Sequence, residues 1–143
     1  MATDDPTTVA REVVEAFNAA DWDRFRAVLA DGIVYEETGT GRRVEGAEEY
    51  VRLCQGWRQA FPDVTGTIQR VVAEGGTVAE EIAWAGSHQG PLETPGGTIP
   101  ASGAQVEALG TLWVTVSGGE ASAIRHHLDV LALLRQVGAL PGA

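Results

Sequence analysis

The segment Ala123 to Gly138, AIRHHLDVLALLRQVG, sets two histidines and a carboxylate at the junction between a β-rich run and a short apolar helix. Asp129 is bordered by Leu128, Val130, Leu131, Leu133 and Leu134, and a carboxylate desolvated by such neighbours has a raised pKa suited to proton transfer. The same residue stands where a helix starting at Val130 takes its N-cap, a role for which Asp is favoured. Local sequence leaves both roles open. Side chains alternate along a strand, so His127 and Arg125 share the face of Asp129 while His126 takes the other. On this reading His127 accompanies Asp129 into a cavity and His126 is solvated. An ion pair with Arg125 would lower the Asp129 pKa and weaken it as a base.

A second group of candidates lies upstream. His88 follows Trp84 at an interval that aligns the two side chains along a strand unless a bulge intervenes. A neutral imidazole there can polarise a carbonyl or receive a proton, or instead hydrogen-bond the backbone of the loop that follows. Glu36 and Glu37 alternate, so one faces inward, where it could act with Asp129 as an acid and base pair of separated pKa values. The alternative is that both end a strand at a solvated turn. Tyr35 offers a phenolic donor from the same strand, or packs in the core. Trp57, Trp84 and Trp113 are candidates for an aromatic wall around a flat ligand, each with plain core packing as its alternative.

The elements that position these residues follow from periodicity. Asp5-Pro6 is a cap and first-turn proline, and apolar residues recur at helical spacing from Val9 to Ala20. Asp21 restarts the pattern until Asp31-Gly32, which predicts helical structure from Pro6 to Ala30 in two pieces. Ile33 to Glu37 reads as a strand leading into a turn over Thr38 to Arg43, and Gly46 to Phe61 as a helix closed by Pro62. The period then becomes two: Val64 to Ala73, Thr77 to His88, Gln105 to Val116 and Ala121 to Asp129 read as strands. Gly75-Gly76 and Gly118-Gly119 mark antiparallel hairpins. The interval Gln89 to Ala104, with three prolines, is expected to be an irregular loop that could cover a pocket. Helices gathered in one part of the chain predict an α+β fold rather than alternating βαβ units.

Composition narrows the chemistry. At 143 residues the chain, 1–143, fits one domain with a sizeable core. Ten arginines, no lysine and twenty acidic residues give a net charge of −10, which argues against nucleic acid or an anionic membrane as partner. One cysteine, Cys54, allows no intrachain disulfide and supplies no metal-ligand cluster; with no signal-like or membrane-length apolar run, a cytoplasmic location is expected. No phosphate-binding glycine loop, GxGxxG, HExxH or GxSxG is present, which leaves proton transfer in an apolar pocket.

Taken in order, GRRVEGAEEYVRLCQGWRQAFPDV, WAGSHQGPL and LDVLALLRQVG resemble the SnoaL-like polyketide cyclases of the nuclear transport factor 2-like superfamily. The likeness covers nearly the whole chain. It implies a cone-shaped α+β barrel, a strongly curved antiparallel sheet wrapped around three N-terminal helices, assembled as a homodimer or homotetramer and working without metal or other cofactor. It places an acid/base aspartate at Asp129 and a strand-end histidine at His88. The loop PLETPGGTIPASGA departs from the family's usual run. The implied function is a cofactor-independent cyclase or isomerase of secondary metabolism, acting by acid/base catalysis on a hydrophobic, carbonyl-bearing small molecule. The alternatives are an epoxide-opening cyclase or hydrolase of the same fold and a non-catalytic binding or accessory protein.

Overall fold

The computed structural model describes residues 5–140. Helix α1 (Pro6–Asn18) starts at Asp5, whose side chain accepts the Thr7 N–H at 3.0 Å, and its apolar stripe Val9, Val13, Val14 and Phe17 is buried. Ala20, at φ +52°, turns the chain into α2 (Trp22–Ala27), capped by Asp21. This second helix ends earlier than its spacing predicts. Leu29 already pairs with Ala121 in the strand β1 (Leu29–Glu37), because joining the sheet buries Leu29 completely, which another helical turn would not do.

A tight turn with Gly41 at φ +77° returns the chain as β2 (Arg42–Glu45) against β1, a strand that the polar run Arg-Arg-Val-Glu does not announce. Helix α3 (Ala47–Ala60) follows and buries Tyr50, Val51 and Cys54. Then come the hairpin β3 (Thr65–Glu74) and β4 (Thr77–Ser87), and the long pair β7 (Gln105–Ser117) and β8 (Glu120–Leu128). Gly118 and Gly119 both take positive φ in the two-residue turn between the last pair, the geometry that suits the twist of a hairpin. Between the pairs, the expected irregular loop carries a small hairpin of its own, β5 (Leu92–Thr94) with β6 (Gly97–Ile99), seated on α3 through the buried Leu92. Helix α4 (Val130–Gln136) ends the described chain.

The main sheet runs β2-β1-β8-β7-β4-β3. It is antiparallel except for β1 and β8, which lie parallel, and its edges β2 and β3 do not meet. The cone is therefore an open, curved sheet rather than a closed barrel. The first three helices fill its concave side, and one hydrophobic cluster joins them to the sheet. No described helix is long and apolar enough to cross a membrane.

Candidate active site

Between the helices and the sheet lies a cavity of about 90 Å³. Helix α1 contributes Val13, Val14 and Phe17, α3 contributes Tyr50, Cys54 and Trp57, and Leu133 of α4 closes one side. The sheet contributes Tyr35, Trp84, Gly86, Ala108, Leu112, His126 and Leu128. The wall is almost wholly apolar, so its few polar atoms define what it can do.

His126 is one of them. The inward face of β8 is Ile124, His126 and Leu128, while Arg125 and His127 are exposed on the other side, where Arg125 donates to Glu36 Oε1 at 3.2 Å. The alternation is as expected but its phase is reversed: His126 enters the cavity and His127 does not. The signal is present in the sequence, since Ile124 and Leu128 share the parity of His126 whereas the charged Arg125 and Asp129 share that of His127. On β1 the inward residues are Tyr35 and Glu37, each almost fully buried, and Glu36 faces out.

These inward residues form a chain of hydrogen bonds. Glu37 Oε1 accepts from Thr40 Oγ1 at 2.8 Å and from Arg42 Nη2 at 3.1 Å, and Glu37 Oε2 accepts from the Tyr35 hydroxyl at 2.6 Å. The single hydroxyl proton of Tyr35 is thus committed to Glu37. Its oxygen, 3.2 Å from His126 Nδ1, can only accept there, which puts the imidazole proton on Nδ1 and a lone pair on Nε2. His126 Nε2 is buried and has no protein partner. Burial pushes the His126 pKa down to about 4, against a smaller upward pull from Glu37, so the ring is neutral at neutral pH. Stacked on Tyr50 with ring centroids 4.6 Å apart, Tyr35 is held rigidly, and burial raises both phenols well above their ordinary value. Burial likewise keeps the Cys54 thiol protonated.

The other expected site residues lie elsewhere. Asp129 is exposed and caps α4, its Oδ1 accepting the Ala132 N–H at 3.0 Å, so the expectation that it faces the cavity is corrected: the turn into α4 begins one residue after the sheet ends. His88 is fully buried but is not part of the cavity wall. Its Nδ1 accepts the Ser102 N–H at 3.2 Å and lies 2.8 Å from Ser102 Oγ, its ring stacks on Phe61, and burial lowers its pKa. It therefore ties the base of the β5–β6 loop. The reason is local: β4 ends at Ser87, and the His88 backbone pairs instead with Gly103 and Ala104 at the far end of the loop. Trp84 and Trp57 do line the cavity, with Arg42 over the Trp57 ring at 5.6 Å, whereas Trp113 stands on the outer face, 47% exposed. Among the described residues, no three His, Cys, Asp or Glu side chains gather as a metal site would require.

A fold and cavity of this kind define a class, and comparison with known proteins supplies its name. The family model for SnoaL-like polyketide cyclases matches residues 7–137, and the chain belongs to that family. It is similar in structure to IdmH, a proposed polyketide cyclase from Streptomyces antibioticus, at 26% identity over 94% of this chain and 99% of that one, with a TM-score of 0.78. A proposed SnoaL-like polyketide cyclase from Jannaschia sp. CCS1 shares the fold at 22% identity, covering 95% and 93% of the two chains, with a TM-score of 0.84. So does a proposed ketosteroid isomerase from Kribbella flavida, at 21% identity over 87% and 77%, with a TM-score of 0.67. No curated protein matches the chain in sequence.

Proposed function

We propose that this protein is a cofactor-independent acid/base enzyme that removes a proton next to the carbonyl of a hydrophobic, polyketide-like small molecule, leading to cyclisation or isomerisation, with His126 as the base. The observation that carries this is the unpartnered Nε2 of His126, the lone pair of a neutral imidazole in the wall of an apolar, buried cavity. Family membership and the similarity to IdmH support the reaction class.

In this mechanism Nε2 takes the α-proton and the imidazolium that forms is stabilised through Nδ1 by Tyr35 and, beyond it, by Glu37 held by Arg42 and Thr40. Burial holds the pKa of the ring below neutral pH. Its low pKa makes it a weak base at rest, and the Glu37 charge becomes useful as positive charge develops on the ring. The enolate then closes a ring or is reprotonated at another carbon by the same imidazolium. Asp129 acts at a distance, by starting the helix that carries Leu133 into the cavity wall.

The test is exchange of α-hydrogens. In D₂O, the protein should accelerate deuterium incorporation into a small apolar ketone such as 2-indanone, read by NMR, and His126→Gln should return the rate to background while leaving the circular dichroism spectrum unchanged. No acceleration by the intact protein, or equal acceleration by His126→Gln, overturns the proposal.

A further inference from the structure

Trp84 holds the second unpartnered polar atom of the cavity. Its Nε1 is buried without a hydrogen-bond partner, although an indole N–H is a donor that ordinarily finds an acceptor when buried. Close to it on β7 is Gly110, which pairs with Ile82. The space that a side chain would fill at Gly110 lies 2.6 Å from His126 Nε2 and 3.3 Å from Trp84 Nε1. The lone pair and the N–H are therefore neighbours in the cavity wall, close enough for one small ligand group to reach both. Gly110 is buried and faces inward on its strand, and its missing side chain lets the His126 ring and the indole N–H close in over bare backbone.

The indole is fixed in this orientation. Gly66 pairs with Trp84 across β3 and β4, and a Cβ at Gly66 would run into Cζ3, Cε3 and Cη2 of the indole, so the benzo ring lies against bare backbone. Asn18, at the end of α1, brackets Gly66 with two hydrogen bonds of 2.8 Å, donating to its carbonyl and accepting its N–H. Phe17 meets the ring edge-on at 5.5 Å.

Resting on the assignment of His126 as the base, we propose that Trp84 Nε1 is the catalytic donor that holds the substrate's carbonyl oxygen beside His126, with Gly66 and Asn18 as positioning residues. The substrate class is an enolisable ketone on an apolar framework. As its α C–H bond breaks, the proton passes to His126 Nε2 and the electron pair moves into the carbonyl, giving an enolate whose oxygen is bound by the indole N–H. The proton stays on the imidazolium until it is returned to the product, and no other reactant is consumed.

A phenol reproduces both contacts in one group, because its O–H can donate to Nε2 and its oxygen can accept from the indole. The probes are 4-chlorophenol and the near-isosteric 4-chlorotoluene, which lacks the hydroxyl. Trp84→Phe should weaken 4-chlorophenol about tenfold, the loss of one neutral hydrogen bond, and leave 4-chlorotoluene within about twofold. Equal weakening of both, or of neither, overturns the assignment of Trp84. In the unaltered protein, the Trp84 indole proton should move downfield in the NMR spectrum with 4-chlorophenol and not with 4-chlorotoluene; the same response to both also overturns it, even if the variant does not fold. A preference for 4-chlorophenol that is lost in His126→Phe but kept in Trp84→Phe removes the donor and leaves the base in place. No preference in any of the three proteins removes both.

Discussion

His126 and His88 are both buried histidines with Nδ1 hydrogen-bonded and Nε2 unpartnered, and they differ in what holds Nδ1. At His88 the Nδ1 accepts a backbone N–H from Ser102, so the ring proton sits on Nε2. At His126 the Nδ1 donates to a tyrosine whose own proton is spent on Glu37, so Nε2 carries the lone pair. One arrangement makes a loop anchor and the other a base. Burial alone does not distinguish them; the partner on the far side of the ring does.

The comparison breaks most sharply by mutation. His126→Gln should lower turnover by about two to four orders of magnitude, the usual range for loss of a general base, whereas His88→Gln should leave turnover within about threefold and increase proteolysis of the β5–β6 loop. Comparable losses in steady-state kinetics for both variants would erase the distinction. Gly110→Ala should also abolish most turnover in a folded protein, because the new methyl would run into the His126 ring and displace it; full activity would show that the position of His126 does not matter to the reaction. Tyr35→Phe strips the acceptor from His126 Nδ1 and should cost about 1–3 kcal/mol of transition-state stabilisation, seen as a lower kcat with little change in KM.

A smaller effect sharpens the same lesson with carboxylates. Glu37 is buried with three partners, while Glu80 on β4 is buried with none for either oxygen, and burial raises the Glu80 pKa to about 8. Since the folded pKa lies above the ordinary value, this residue costs the fold nothing below about pH 4.5 and progressively more up to about pH 8. Glu80→Gln should therefore raise the melting temperature more at pH 9 than at pH 4, by roughly 3 °C for each kcal/mol recovered. Glu37→Gln should lower it. The smallest effect is expected at Asp129→Ala, a loss of about 1 kcal/mol of helix capping, with turnover preserved; loss of turnover without loss of stability would return Asp129 to the reaction.

Much of the fold is legible in the sequence because it rests on local chemistry. Gly118-Gly119 requires a hairpin, Asp5-Pro6 and Asp21 start helices, and Pro62 ends one. Strand β2 and the parallel pairing of β1 with β8 are not legible, since they depend on contacts distant in the chain, with Tyr35 beside Ile124. Tyr35, Glu37, Trp57 and Trp84 stand among the candidates, but the face of β8 is misread when Asp129 is judged by its leucine neighbours in sequence. Three-residue parity, with Ile124 and Leu128 flanking His126, carries the better signal. The wiring of Glu37 through Tyr35 to His126 joins residues about ninety positions apart, and only the parallel strand pair brings them together.

The most direct test is a ¹⁵N NMR titration of the histidine rings in the unliganded protein. At neutral pH His126 should show a protonated Nδ1 and a lone pair on Nε2, with His88 showing the reverse, and His126 should titrate near pH 4, the fold losing stability as pH falls from about 6.5 through that value. A His126 ring that is protonated at pH 6, or that carries its single proton on Nε2, would contradict the account.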